Sequence, residues 1–262
     1  MIESKWFVRY HTRPEARMRL FCFAFAGGSA SAFREWHKLL PDWVDVCAVQ
    51  YPGRETRWGE PAIPDADVLA DEIVTGMAPA FGDLPFAFFG HSLGAMMSFE
   101  VARRLRDAGG AEPVKLLLSG RRAPPFAPHP PILHPLTDAE FAREMGTLNG
   151  TPPEVLANRE LMALLFPMLR ADFRLDETYV FRAGEPLWQD FSIFGGAGDF
   201  KVPEGQLRSW AEHTTGASRF QRFAGDHFYL KDTRSAMFEA LRGELEGMRG
   251  VRGWSLGQSG ER

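Results

Sequence analysis

The sequence predicts an α/β protein with a mostly parallel central sheet of about seven strands flanked by helices, interrupted by an inserted helical segment. Two observations carry this. Short apolar runs bounded by turn signals alternate with helical patterns, as expected of parallel strands buried on both faces and joined by crossover helices. In addition, Phe86-Ala87-Phe88-Phe89 runs into Gly90-His91-Ser92-Leu93-Gly94, after which Met96, Met97, Val101 and Leu105 recur at helical spacing. A buried strand followed at once by a helix is the setting of a Gly-x-Ser-x-Gly turn that lifts a serine hydroxyl out of the sheet.

In chain order, apolar runs place strands near Trp6–Tyr10, Arg19–Phe25, Val44–Gln50, Phe86–Gly90, Val114–Ser119, Phe191–Gly195 and Arg219–Phe223. Helical periodicity places helices near Ala32–Leu40, Asp67–Ala80, Ser92–Ala108, Glu204–His213 and Ser235–Met248, with Gly109-Gly110 stopping the third. About seventy residues separate Ser119 from Phe191, whereas a strand–helix–strand crossover takes roughly thirty in all. The excess opens with a stiff run containing Pro124, Pro125, Pro128, Pro130, Pro131 and Pro135. Helical segments follow near Thr137–Leu148 and Asn158–Val180. In the second, Leu161, Leu164, Leu165, Met168, Leu169 and Phe173 form a stripe that Met162 and Phe166 widen, and Pro167 should kink it or start a new helix. A helix so apolar must bury more than one face. Plain core packing would satisfy that, but the position over the carboxyl ends of the strands favours a lid lining a substrate pocket.

The expected organisation is a first core part over 1–120, a helical lid over 121–187, a second core part over 188–248 and a disordered polar tail over 249–262. A hydrophobic content of 45% with 24% charged residues suits one large soluble domain with a sizeable core. The net charge of −4 excludes a general attraction to nucleic acid or anionic membranes. Arg103, Arg104 and Arg106 read as a solvated helix face, and Arg121 and Arg122 as a solvated loop. Cys22 and Cys47 each fall in a buried strand; the sequence is compatible with one disulfide, but buried inert thiols in a reducing cytoplasm are the favoured reading. No signal-peptide core or membrane-length apolar stretch stands out, so a cytoplasmic location is expected. No metal-ligand spacing appears either, and no cofactor is expected.

A serine needs a base, and the base an orienting carboxylate. In the α/β-hydrolase fold these follow in the order Ser, acid, His, each just after a strand. With Ser92 as nucleophile, the order excludes His11, His37 and His91. His129 and His134 lie in the proline-rich run, and His213 ends a helix. His227 follows the last strand and the turn Ala224-Gly225-Asp226, which makes it the base. Asp199 follows Gly195-Gly196-Ala197-Gly198 at the end of its strand, which makes it the acid. Asp190 sits at the wrong strand end, and Asp226 is adjacent to the histidine. An oxyanion hole takes one amide from the residue after the nucleophile, Leu93, and one from the loop after an earlier strand. Small residues in Phe25-Ala26-Gly27-Gly28-Ser29 let the backbone approach a carbonyl there, which points to Ala26.

The chain resembles the type II thioesterases, the stand-alone editing thioesterases of polyketide and nonribosomal peptide synthesis, from about Leu20 to Leu230. The resemblance rests on Phe21-Cys22-Phe23 with Ala26-Gly27-Gly28-Ser29-Ala30, on Val49-Gln50-Tyr51-Pro52-Gly53-Arg54-Glu55 and on Gly90-His91-Ser92-Leu93-Gly94-Ala95. It continues through Ser119-Gly120-Arg121-Arg122-Ala123-Pro124, Gly150-Thr151-Pro152 and Leu169-Arg170-Ala171-Asp172-Phe173 to Trp210, His213-Thr214-Thr215 and Gly225-Asp226-His227-Phe228. Two positions depart from it: Ala24 stands where the family has proline, and Gly198-Asp199 where it pairs two aspartates. The resemblance implies acyl thioesters on the phosphopantetheine arm of acyl or peptidyl carrier protein domains as substrates. The arm then comes with the substrate rather than as a cofactor, and the enzyme is expected to act as a monomer. Met162, Phe166, Met168 and Phe173 could face a short acyl chain, and Arg121 and Arg122, or the Arg103 group, could help to dock an acidic carrier. The competing readings are a carboxylesterase of the same fold, an acyltransferase with a nucleophile other than water, and a catalytically silent partner that docks on a synthase.

Overall fold

The computed structural model describes residues 4–81, 84–127, 130–232 and 234–250. All seven expected strands form: β1 (Phe7–Val8), β2 (Met18–Phe23), β3 (Val44–Val49), β4 (Phe86–His91), β5 (Lys115–Ser119), β6 (Asp190–Gly196) and β7 (Ser218–Phe223). They make one sheet in the order β1-β3-β2-β4-β5-β6-β7, parallel except for β1, which pairs antiparallel with β3. The chain runs outward from β2 to β3, then returns to the other side of β2 as β4. That reversal opens a crevice at the carboxyl edge, the usual place for a ligand in an open α/β sheet.

Alternate residues of each strand feed two cores. On one face Phe21, Phe23, Val49, Phe88, Leu116, Leu118 and Ile193 pack against α1 (Ala66–Met77) and α2 (Leu93–Asp107). On the other, Leu20, Cys22, Val46, Ala48, Ala87, Phe89, Leu117 and Phe194 pack against Phe33, Trp36 and the helix carrying Met237, Phe238 and Leu241. Both cysteines are free thiols and buried, as expected, and burial pushes each thiol above its ordinary range.

The expected helix over Ala32–Leu40 is instead two 3-10 turns, Ala30–Phe33 and Trp36–Lys38. The buried residues Ala30, Phe33 and Trp36 recur every third position, which matches three residues per turn better than 3.6.

Between β5 and β6 lie α3 (Asp138–Thr147), the unexpected short α4 (Pro153–Ala157) and α5 (Arg159–Thr178). They share a core of their own, built from Leu133, Phe141, Met145, Met162, Met168 and Leu169. Thr137 and Glu140 close a reciprocal cap at the start of α3, and Asn158 caps α5. Helix α5 runs unbroken through Pro167, which stands on its exposed side where water can serve the carbonyl that proline leaves without a donor. The buried stripe of α5 is rotated from the expected one: Leu164 is 61% exposed and Leu161 also faces solvent, while Met162, Leu169, Asp172 and Leu175 turn inward. Beyond β6 come α6 (Glu204–Arg208), continued by a 3-10 turn to His213, then α7 (Tyr229–Asp232) and α8 (Arg234–Glu246). The first two residues of the expected tail, Arg249 and Gly250, close a 3-10 turn, and the rest lies outside the described residues, as do Pro128 and His129 of the proline-rich run.

Candidate active site

Because five adjacent strands are parallel, the loops that leave β2, β4, β5, β6 and β7 open along one edge of the sheet. These loops carry Ala26, Ser92, Arg121 and Arg122, Asp199 and His227. Register brings them together: Phe23 pairs with Gly90, His91 with Ser119, Ser119 with Phe194 and Gly196 with Phe223.

The turn at Ser92 is sharp. Its φ of 55° and ψ of −118° put a non-glycine residue in a region that L-residues rarely occupy. Strand and helix are held so close that a Cβ on Gly94 would lie 2.0 Å from the Phe23 carbonyl oxygen, and one on Gly90 2.2 Å from that of Gly94. Those two glycines therefore set the geometry that presents Ser92, and the Leu93 amide heads the first turn of α2, whose donors have no intrahelical acceptor.

His227 Nε2 stands 3.0 Å from Ser92 Oγ, and His227 Nδ1 2.6 Å from Asp199 Oδ2. A carboxylate only accepts, so Nδ1 carries the proton and Nε2 of the neutral ring faces the serine hydroxyl as an acceptor. Asp199 is buried, and its second oxygen accepts the Lys201 amide at 3.1 Å. The glycine run before it has a physical reason. The acid turn and the histidine loop pack backbone to backbone, with the Ala197 amide on the Phe223 carbonyl and the Gly198 amide on that of Gly225, both at 2.7 Å. A Cβ on Gly196 would sit 2.2 Å from the Asp226 carbonyl oxygen. Asp226 itself accepts from the Phe228 amide and from the Asn149 side chain, while Asp190 binds the Ala217 amide at the far strand end. Of the other histidines, His213 bonds the Pro124 carbonyl, His134 pairs with Glu177 and His11 stacks on His37.

His91 packs behind the His227 ring, 5.2 Å away between centroids, with Nδ1 2.8 Å from Ser119 Oγ. Burial, and then the neighbouring His227, hold it well below the usual 6.5. The unfolded chain binds a proton below about pH 6.5 that the folded chain refuses, so folding stability is full above that pH and falls as the solution is acidified. One such proton gives a slope of at most about 1.4 kcal/mol per pH unit. Chemical denaturation of the wild type and His91→Gln between pH 7 and 5 should show a shallower slope in the variant, by up to that amount. Equal slopes would refute the assignment.

A cavity of about 350 Å³ joins these groups to the inserted helices. It is lined by Ser92, Ala26, Asp199 and His227 on the sheet side and by Leu148, Val155, Leu165, Met168, Leu169 and Phe173 on the other. Of the four residues expected to face an acyl chain, Met168 and Phe173 line it. Met162 and Phe166 do not: Met162 is 2% exposed inside the insertion's own core, and Phe166 packs edge-on against Phe141. The sequence named the apolar residues of α5 but could not give its rotation. Nor do Arg121 and Arg122 form a solvated loop, since both line the cavity and Arg122 is buried. Arg103, Arg104 and Arg106 are engaged with Glu100, Asp67, Asp71 and nearby carbonyls.

Sequence reasoning assigned no role to a buried ion pair beside the Ala26 loop. Arg54 donates to both oxygens of Asp172 on α5, at 2.7 and 2.6 Å, and to the Gly28 carbonyl at 3.0 Å. The Gly27 amide donates to the same carboxylate at 2.7 Å. One side chain of the insertion thus holds the loop that carries Ala26. Both residues stand in the segments Pro52-Gly53-Arg54 and Arg170-Ala171-Asp172, which were legible as patterns, but 118 positions of chain separate them.

Sheet order, sharp serine turn and the Ser, Asp, His succession together define a hydrolase of the α/β-hydrolase fold. Comparison with known proteins refines this. The model of the thioesterase domain family matches residues 18–245. The chain is 38% identical to the gramicidin S biosynthesis protein GrsT of Aneurinibacillus migulanus, covering 92% of this chain and 94% of that one. It is 39% identical to the thioesterase PikA5 of Streptomyces venezuelae, over 87% and 80% of the two chains. The solved structure of BorB, a type II thioesterase from the borrelidin biosynthetic cluster, superposes with a TM-score of 0.84 at 36% identity, covering 94% of this chain and all of that one. The chain belongs to the thioesterase domain family and is similar to its type II members.

Proposed function

We propose that this thioesterase hydrolyses acyl groups carried as thioesters on the phosphopantetheine arm of acyl or peptidyl carrier domains, as an editing or releasing enzyme beside a polyketide or nonribosomal peptide synthase in the cytoplasm. The observation that carries the reading is a cavity that reaches from Ser92 and His227 to the apolar underside of the inserted helices. Ser92 Oγ attacks the thioester carbonyl as His227 Nε2 takes its proton, and Asp199 fixes the tautomer and steadies the imidazolium. The tetrahedral oxyanion is received by the amides of Leu93 and Ala26. His227 then gives its proton to the leaving thiolate. A water molecule, deprotonated by the same nitrogen, attacks the acyl-enzyme and releases the acid with Ser92 restored.

The inserted helices serve as a lid, with Met168 and Phe173 against the acyl chain. Met162 and Phe166 act through the packing of that lid rather than by contact. Binding energy from the arm and carrier, remote from the reacting carbonyl, should appear in turnover. Hydrolysis of one acyl group presented on a carrier domain, on pantetheine and as a simple oxygen ester tests this. The expected order of kcat/KM descends through that series, with the carrier thioester ahead of the ester by about a hundredfold or more. Equal values for carrier thioester and ester would favour a general carboxylesterase.

A further inference from the structure

The cavity wall carries more charge than the proposed triad uses, and the charges are unevenly committed. Four carboxylates line it, and each is engaged. Asp199 holds His227, Asp176 pairs with Arg121, and Asp226 accepts from Asn149 and Phe228. Glu177 accepts from the amides of Leu133 and His134 and pairs with the His134 ring.

The cations differ. Arg122 is only 9% exposed, yet among the described residues it makes no hydrogen bond or ion pair, and its Nε is buried without a partner. Lys201, half-buried on the same wall, bonds Asp199 through its backbone amide, but its ammonium has no ion pair among the described residues. Burial disfavours the charge of each. At Arg122 the neighbouring Arg121 adds to that effect and Asp176 and Asp199 offset part of it; at Lys201 Asp199 and Glu144 offset part of it and Arg122 adds to it. The Nε of Arg122 has left water without a partner, which is unfavourable, and the field of Arg121 adds to that cost. Apolar side chains would fill the same space without the cost. The arrangement makes sense if an anion completes it.

We propose that Arg122 and Lys201 form a binding subsite for an anionic oxygen group of the substrate. This rests on the carrier-thioester reading above and adds a second point of recognition to it. Two parts of such a substrate bear that chemistry: the phosphate at the far end of the arm and a carboxylate on the acyl chain. A guanidinium offers either one a planar pair of donors, and the ammonium adds a point charge. The subsite would select among thioesters whose reacting carbonyl is identical.

Calorimetric titration of the Ser92→Ala protein, which leaves thioesters intact, separates the two sources. Pantetheine is compared with 4′-phosphopantetheine, and propionyl-pantetheine with malonyl-pantetheine. The expected result is binding about ten- to a hundredfold tighter for the charged member of one pair. That advantage should shrink at least about fivefold when Arg122→Met or Lys201→Met is added. A phosphate advantage assigns the subsite to the arm, and a carboxylate advantage assigns it to the acyl chain. The readout is a ratio within one protein, so a loss of overall affinity through altered folding cancels. No advantage in either pair, or an advantage that neither variant alters, overturns the proposal. Should the wild type prefer oxygen esters to carrier thioesters, the functional reading fails by that measure, and the binding ratios still decide the subsite.

Discussion

Ser92→Ala is expected to lower kcat by about 10⁴- to 10⁶-fold while binding of the acyl-carrier substrate changes by less than about threefold. The asymmetry follows from the site. The hydroxyl touches the substrate carbonyl only as the new bond forms, whereas the apolar cavity wall and the backbone of the Ala26 loop meet the acyl group in the ground state as well. What remains is a histidine held by Asp199 at 2.6 Å, facing a methyl group where its proton donor was. Alanine must also keep the backbone at φ 55°, so this variant gains no stability. Ser92→Gly removes the same hydroxyl and also the Cβ that makes this conformation costly, and should fold about 1–2 kcal/mol more stably while being equally inactive. Measuring turnover and thermal unfolding of both variants separates the two effects. Turnover within tenfold of wild type in either variant would remove Ser92 from the role of nucleophile.

That contrast shows why this part of the site was legible in the sequence. The Ser92 turn and the Asp199 turn each follow a buried, mostly apolar run and carry glycines where a neighbouring backbone comes within about 2 Å of a missing Cβ, while the His227 loop leaves the more polar edge strand β7 through Gly225, whose φ is 112°. Local pattern and tertiary role coincide there. They part company over residues 30–40, where burial every third position resembles the longer period of an α-helix. They part again on α5, where many apolar residues obscured which side turns inward: Leu161 and Leu164 face water, and Met162 faces the insertion's core. Helix α4 escaped notice because five residues entered through Pro152-Pro153 give no periodicity to read. The Arg54–Asp172 pair could not be read at all, since it exists only when the insertion docks on the loop after β2.

Breaking that pair is the second large effect expected. Its side chains are 4% and 3% exposed, so Asp172→Asn would leave the Arg54 guanidinium buried without its counter-ion. The expected cost is about 3–5 kcal/mol, and each kcal/mol lowers the melting temperature of a domain this size by about 2–4 °C. Asp172 also receives the Gly27 amide at 2.7 Å, one residue from Ala26. Slackening that loop should cost a further ten- to hundredfold in kcat, at temperatures where the variant is still fully folded, because oxyanion donors act only at correct placement. A double variant, Arg54→Met with Asp172→Leu, separates the two effects. Replacing both charges with apolar groups of similar size is often neutral for stability, so most of the melting temperature should return. Leucine offers the Gly27 amide no acceptor, so kcat should stay low. If kcat recovers together with stability, the pair only holds the insertion down. If stability recovers alone, Asp172 positions the oxyanion loop, and closure of the insertion over its substrate is coupled to assembly of the site beneath it.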